Sequence, residues 1–303
     1  MQNMVADFLI HAASHYGTSL TVTSYAKVNL SLIITGRRSD GYHELHSHVV
    51  FCHVGDRLTF TPTPDKDVTL YVSGAFGAPL RPHAHDNVIM KVALALQDRT
   101  DTPRGALIHL QKMLPLASGI GGGSGDAAQT LRMLNWLWDC QWNHTMLAEL
   151  GGEFGADIPV CVHGASCVMH GIGDKLSPLE PEHRVQGWLV LVTPPVEVPT
   201  AHIFAVLPTS LYDRDPSDTY DLCQMHDPCM MHNDLEEVAL EYYPIIAPIL
   251  AELRHHPHTV TARLSGSGAT CFALCIGRND AQSLADYMQI RFPDAWVRYG
   301  VIL

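Results

Sequence analysis

Five of the seven residues from Gly119 to Gly125 are glycine. A backbone so poor in Cβ atoms can take positive φ and turn several amides toward a single anion. Directly behind it, Asp126-Ala127-Ala128 leads to Leu131, Leu134 and Trp138 at i, i+3 and i+7, the spacing of a helix. Such a helix points its unpaired N–H groups and the positive end of its dipole at the spot the loop encloses. Pro115, Leu116, Ala117, Ser118, Gly119, Ile120, Gly121, Gly122, Gly123, Ser124 and Gly125 thus read either as a cradle for nucleotide phosphates or as a tight turn between packed elements. No Gly-Lys-Ser/Thr closes the loop in the Walker manner, and no unbroken βαβ unit near the chain start supports a dinucleotide fingerprint.

Two charged residues could do chemistry beside phosphate. Lys27 and Asn29 share the polar face of a strand-like segment, while Asp157 sits between Ala156 and Ile158-Pro159 with few polar neighbours in sequence. Lys27 reads as a surface cation or a working one; Asp157 reads as a cap for the following turn or a functional acid. If the two meet, the ammonium favours the ionised carboxylate, which can then accept a hydroxyl proton during phosphoryl transfer. Tyr42 and His43 in a turn, and Phe204 in the second half, are aromatics able either to pack or to stack on a flat base. Ser265-Gly266-Ser267-Gly268 reads as a hairpin turn or a second ligand contact. His83 with His85, and His255 and His256 with His258, lack a partner carboxylate or Cys at metal-site spacing, and no metal is expected there.

The elements that must position these residues follow from periodicity. Residues 21–34 alternate, with Ala26, Val28, Leu30 and Leu32 on one face and Tyr25, Lys27, Asn29 and Ser31 on the other. Arg37, Arg38, Asp40 and Gly41 mark a turn toward a second strand over 49–60. Asp86 is expected to cap a helix carrying Val88, Val92 and Leu96, before a strand over 104–111. A helix is expected over 145–150, then an apolar stretch over 160–168. Beyond a composition shift near 170–185, the expected order is a strand (187–192), helices (235–241, 245–253), strands (259–264, 271–276), a helix (280–290) and a strand (296–303). Residues 1–20 read as an extension with a short helix around Val5 to Ala13.

Composition bounds the function. At 303 residues, two domains are a better expectation than one. Nineteen Lys and Arg against 31 Asp and Glu leave a net charge of −12, which repels nucleic acid and anionic lipid but leaves room for a small anionic substrate in a local cradle. No apolar run reaches membrane-spanning length. The first 26 residues hold no Lys or Arg and so do not read as a secretory or transit signal, and a cytoplasmic location is expected. The eight Cys (Cys52, Cys140, Cys161, Cys167, Cys223, Cys229, Cys271, Cys275) lie apart among mostly apolar neighbours and read as reduced packing residues.

Taken together, Ala26-Lys27-Val28-Asn29-Leu30, Asp40-Gly41-Tyr42-His43, the 119–128 loop, Gly155-Ala156-Asp157-Ile158-Pro159-Val160 and Leu264-Ser265-Gly266-Ser267-Gly268-Ala269 resemble the ordered motifs of the 4-diphosphocytidyl-2-C-methyl-D-erythritol kinase family, in the GHMP kinase superfamily. The resemblance runs from about Tyr25 to the last strand. It implies an α+β fold of two domains: residues 1–175 like the second domain of ribosomal protein S5, and residues 176–303 ferredoxin-like. It also implies ATP-dependent phosphorylation of the 2-hydroxyl of a cytidine diphosphate-linked methylerythritol, on the non-mevalonate route to isoprenoid precursors, with Mg²⁺ carried by the nucleotide. By the same resemblance Asp157 matches the base and Lys27 the lysine that positions it. Asn29 matches a contact to the methylerythritol hydroxyls, and Tyr42, His43 and Phe204 match the cytosine site. The glycine loop matches the triphosphate cradle, and Gly266 a second substrate contact. No nucleic acid or membrane partner is implied, and the expected state is a monomer or weak homodimer. Ser118 stands where the family often has Gly, and Gly125 where Ser or Ala is usual; the latter is expected to loosen the helix start. A kinase of homoserine or mevalonate, and a non-catalytic nucleotide-binding module, are the rival readings.

Overall fold

The computed structural model describes residues 19–211, 227 and 231–303. The helix expected around Val5 to Ala13, and Cys223 and Cys229, lie outside these residues.

The alternating pattern near the start builds β1 (Leu20–Asn29), which pairs antiparallel with the long β3 (His43–Thr63) from Leu20↔Phe60 to Asn29↔Val49. The single strand expected over 21–34 is two strands. The chain turns at Leu30 and Ser31 and resumes as β2 (Ile33–Arg37), also against β3. The break has a cause in hydrogen bonding: Leu30 N donates to His48 O and Leu32 N to His232 O, so Leu32 is drawn toward the 232–234 segment and away from the β1–β3 ladder. β3 likewise starts earlier than expected, at His43, because its first residues pair with β2.

β4 (Val68–Ser73) and β5 (Gly105–Gln111) pair in parallel at one edge, and β6 (Cys167–His170) with β7 (Lys175–Pro178) at the other, giving a seven-stranded mixed sheet in the order β4-β5-β3-β6-β7, with β1 and β2 also on β3. Four helices accompany it: α1 (Val88–Thr100), α2 (Gly122–Leu137), α3 (His144–Gly152) and α4 (Ile158–His163). Asn87, not Asp86, caps α1, accepting from Ile89 N at 2.9 Å; an Asn side chain is as good an acceptor there as Asp, and it stands one residue before the helix. α2 presents Ala127, Ala128, Leu131 and Leu134 to the core, all fully buried. Each buried Leu there stabilises the fold by roughly 1.5–3 kcal/mol.

A second sheet, antiparallel in the order β11-β8-β10-β9, comprises β8 (Trp188–Thr193), β9 (Thr261–Leu264), β10 (Cys271–Cys275) and β11 (Trp296–Val301). With it go α5 (Thr200–Ala205), α6 (Glu236–Tyr242), α7 (Ile246–His255) and α8 (Arg278–Arg291). The result is an α+β molecule with two sheets. One apolar cluster unites them: Ala26, Val28, Val50 and Cys52 of the first pack with Leu189, Leu191, Phe272 and Leu274 of the second. The chain end adds a backbone seam, Leu303 N donating to Phe51 O at 2.9 Å. The six described cysteines are free, and five are buried. Burial pushes their thiols up, to about 12 for Cys52 and about 11 for Cys167, so they are poor nucleophiles.

Candidate active site

Lys27 and Asn29 alternate with the buried Ala26 and Val28, so β1 turns their side chains away from the inter-sheet core and toward the glycine loop. Lys27 N donates to Ile120 O at 3.0 Å, which ties strand and loop together. Gly121, in the left-handed region at φ 66°, lies so near β1 that a Cβ there would stand 2.9 Å from Lys27 Cβ. Gly119, at φ 74°, approaches the second glycine turn, where a Cβ would sit 2.3 Å from Ser265 O. Glycine is demanded at both positions by close backbone approach.

Lys27 and Asp157, 130 positions apart in sequence, meet at 2.7 Å between Nζ and Oδ2. The lysine is buried and the carboxylate 39% exposed. Asp157 stands at the N-cap position of α4 yet its side chain makes no capping hydrogen bond; it takes Lys27 instead. Asn29 is buried, donates from Nδ2 to Ser47 Oγ at 2.7 Å, and turns Oδ1 toward Gly266.

α2 begins inside the glycine loop, not after it. Gly121 is its N-cap residue, and Gly125 N closes the first turn on Gly121 O at 2.7 Å. The amides of Gly122, Gly123 and Ser124 are therefore the unpaired N–H groups of the helix start. Gly125 lies within the helix, buried against Ser24, where a Cβ would stand 2.6 Å from Oγ. Ile120 is likewise buried, in the inter-sheet cluster, and neither residue lines either of the two cavities beside the loop.

Two cavities meet here. One, of about 650 Å³, is lined by Lys27, Asn29, Arg37, Tyr42, His43, Phe204 and Gly266 among others. The second, of about 430 Å³, is lined by residues 115–119 and 121–124 of the loop, with Asn87, Val88, Lys112 and Asp126. Gly119, Ser124, Asp157 and Thr200 border both. The second glycine turn joins β9 to β10 and also lines the larger cavity through Gly266 and Ser267, whose Oγ is 2.9 Å from Thr200 Oγ1. Phe204 meets His43, ring centroids 5.2 Å apart at 33°, while Tyr42 stands at the rim, 59% exposed. Burial, with Arg37 adding to it, holds the His43 imidazole below its ordinary pKa.

Sequence reasoning missed a buried ionic cluster beneath the loop. Lys112 Nζ reaches Asp56 Oδ2 at 2.6 Å and Asp126 Oδ2 at 2.7 Å, and Asp56 Oδ1 accepts from Leu114 N at 2.8 Å. Burial alone would lower the Lys112 pKa; the carboxylates of Asp126 and Asp56 overcome it and hold it raised. Burial pushes Asp126 up to about 7 against the pull of Lys112. A faint signal existed, since Lys112 and Asp126 bracket the glycine loop with opposite charges. Asn87 and Arg37, on the walls of the two cavities, had no such signal.

Known proteins resemble the chain over most of its length. The family GHMP kinases N terminal domain matches residues 87–165, and GHMP kinases C terminal matches residues 222–294. The 4-diphosphocytidyl-2-C-methyl-D-erythritol kinase of Parvibaculum lavamentivorans is 38% identical over 92% of this chain and 96% of its own. The protein of the same name from Dinoroseobacter shibae is 42% identical over 91% of this chain and 93% of its own. Among solved structures, a 4-(cytidine 5'-diphospho)-2C-methyl-D-erythritol kinase superposes with TM-score 0.76 at 28% identity, covering 93% of this chain and 99% of that one. A homoserine kinase from Cytophaga hutchinsonii, at TM-score 0.65, 16% identity and coverage of 97% of each chain, shares the fold.

Proposed function

The chain belongs to the GHMP kinases, in the family of 4-diphosphocytidyl-2-C-methyl-D-erythritol kinases, and is an ATP-dependent phosphotransferase acting on the 2-hydroxyl of that alcohol in the non-mevalonate route; we propose that Lys27 and Asp157 carry the transfer where the two cavities meet. The observation that supports this most is the 2.7 Å ion pair on the border of both cavities.

In this reading the larger cavity takes the acceptor and the smaller one the nucleotide. Lys27 fixes Asp157 through Oδ2 and leaves Oδ1 to accept the proton of the acceptor hydroxyl. As the proton passes to Asp157, the hydroxyl oxygen bonds to the γ-phosphorus while the bond to the departing ADP oxygen breaks. Phosphoryl transfer asks the protein chiefly for alignment and charge stabilisation. The amides of Gly122, Gly123 and Ser124 supply donors for the phosphates. Gly123 keeps the wall open, since a Cβ there would meet nothing within 4 Å.

Mg²⁺ fits this site as an ion carried by the nucleotide: among the described residues no group of three or more His, Cys, Asp or Glu forms a cage, and Mg²⁺ is commonly held by one or two carboxylates together with substrate phosphates. When bound, the ion would offset charge on the transferred group.

Tyr42, His43 and Phe204 are read as the cytosine site, Asn29 as a contact to the methylerythritol hydroxyls, and Gly266 as a backbone wall beside them. Residues 1–175 are read as a domain like the second domain of ribosomal protein S5 and residues 176–303 as a ferredoxin-like one; the two family matches fall one in each, and β7 lies at the border. Among the described residues no helix is long and apolar enough to cross a membrane. We read the chain as a cytoplasmic monomer or weak homodimer, and the net charge of −12 weighs against a nucleic acid partner.

The test is product analysis. With ATP and Mg²⁺, the diphosphocytidyl alcohol should gain a phosphomonoester at its 2-hydroxyl, seen as a new ³¹P resonance, while homoserine and mevalonate should remain unmodified. Phosphorylation of either of those in preference, or nucleotide binding without any turnover, would overturn the assignment.

A further inference from the structure

Asn29 presents one end of its amide to the larger cavity, and the side chains behind it decide which end. Asn29 is opposite Val49 in the β1–β3 register, so Ser47, two residues earlier on β3, is its diagonal neighbour on the same face of the sheet. Asn29 Nδ2 donates to Ser47 Oγ at 2.7 Å. A hydroxyl has one hydrogen, and that of Ser47 is committed, since its Oγ donates to Ser31 O at 2.5 Å. Ser31, at the turn between β1 and β2, is held in its turn, its Oγ accepting from His48 N at 3.2 Å. Ser31 and Ser47 are both fully buried. Were the Asn29 amide reversed, Oδ1 would face a hydroxyl whose hydrogen is already used. The alternative is to take that hydrogen and leave the buried Ser31 O unpaired, which is unfavourable.

Oδ1 is thereby turned to the wall of the larger cavity, where a Cβ on Gly266 would stand 3.2 Å from it. Among the described residues nothing donates to this oxygen. The strand itself is fixed from the second sheet: Asn29 N donates to Ser265 Oγ at 3.2 Å, and Ser265 Oγ donates to Gly119 O at 2.9 Å. We propose that Ser47, which lines neither cavity, is a positioning residue that holds the Asn29 amide with its carbonyl oxygen toward the acceptor, so that Asn29 recognises a hydroxyl by the hydrogen it gives. Asp157 takes the proton of the reacting 2-hydroxyl, so the hydroxyl read by Asn29 is one of its two free neighbours, on carbon 1 or carbon 3. A group that only accepts, such as an ether oxygen or a fluorine, meets a lone pair there and is rejected. This rests on the acceptor reading given above, and it goes further by assigning the polarity of the contact and the residue that sets it.

The experiment measures calorimetric binding of the diphosphocytidyl alcohol, and of analogues in which the 1- or the 3-hydroxyl is replaced by hydrogen or by fluorine. The proteins are the wild type, Ser47→Ala and Ser47→Thr, each with the nucleotide cavity saturated by a non-hydrolysable ATP analogue. At one of the two carbons the wild type should lose about tenfold in affinity for hydrogen, and more for fluorine, which adds a repulsion to the lost bond. Ser47→Ala frees the amide to turn. It should bind the parent alcohol about three- to tenfold more weakly and the fluoro analogue at least as well as the deoxy one. Ser47→Thr, which keeps the hydroxyl, should restore the wild-type order. In steady state the KM of Ser47→Ala for the parent should rise by the same factor, with kcat and the KM for ATP within about twofold. Fluorine bound as well as hydrogen, or better, at both carbons by the wild type overturns the proposal without recourse to a variant. So does a Ser47→Ala protein that binds the parent and every analogue more weakly by one common factor, the mark of a merely structural role. Either result leaves the acceptor reading intact. Failure of the wild type to phosphorylate the parent alcohol removes that reading, and this inference with it.

Discussion

Tyr42 and Lys27 illustrate how differently two site residues depend on their surroundings. Tyr42 is 59% exposed, so truncating it removes a stacking surface and little packing. Base–aromatic stacking is worth about 1–3 kcal/mol per base. Tyr42→Ala should therefore raise KM for the cytidyl acceptor about tenfold or more, leave kcat near normal and leave the thermal midpoint unchanged. An unaltered KM would count against a base at this rim. Lys27 is buried, and its partner carboxylate is half-exposed, so Lys27→Met should cost turnover far more than stability. A rate assay and a melting curve on one preparation separate the two effects. Asp157 was legible as a lone carboxylate in an apolar setting, but its choice between capping α4 and pairing with Lys27 was not. That choice is made by β1, which contacts residue 157 only in the folded chain.

At the scale of elements, the glycine loop makes a contrast that a substitution pair can read. Gly121 is at φ 66° with Lys27 Cβ where its own Cβ would go, whereas Gly123 faces open space. Gly121→Ala should destabilise by more than about 1 kcal/mol, the left-handed strain plus the displaced strand, and should lower kcat by moving Lys27. Gly123→Ala should leave stability nearly unchanged and raise KM for ATP, because the added methyl points into the nucleotide cavity. Equal stability losses for the two would contradict the placement of the loop. Beneath it, Lys112→Met leaves Asp56 and Asp126 buried without their cation, a change that typically costs about 3–5 kcal/mol. Chemical denaturation should show that loss, and a second change, Asp126→Asn, should restore part of it. Helix starts were poorly legible for a physical reason: Gly122 and Gly123 have poor helix propensity, so nothing local marks them as the first turn of α2.

Six histidines across the molecule are shifted in one sense. His43, His46, His144, His163, His170 and His256 are all held below the ordinary imidazole pKa, burial being the first cause in each, and His46 is pushed down to about 4. A group whose folded pKa is depressed in this way is protonated first in the unfolded chain. The stability it lends is complete above about pH 6.5 and is lost as pH falls toward 4. Asp126, raised to about 7, works in the opposite sense but alone. Urea midpoints should therefore fall steadily between pH 7 and pH 4.5, and His46→Gln should flatten that slope; a midpoint indifferent to pH would contradict the burial of these rings. Period-two alternation revealed the first strand, and the spacing of Leu131, Leu134 and Trp138 revealed α2, because one buried face is enough to write both patterns. The pairing of Lys27 with Asp157, the Lys112 cluster and the placing of Arg37 opposite His43 were not written locally. Each joins residues that only the sheet order β5-β3-β6, with β1 and β2 on β3, brings together.

The central claim is that Asp157, held by Lys27, accepts the acceptor's proton at the join of the two cavities. Rapid-quench single turnover of Asp157→Asn, with ATP and the diphosphocytidyl alcohol both saturating, tests it most directly. The chemical step should be slower by about 10²- to 10⁴-fold, with both substrates still bound and the melting temperature retained. A chemical step within a few-fold of the wild type would contradict it.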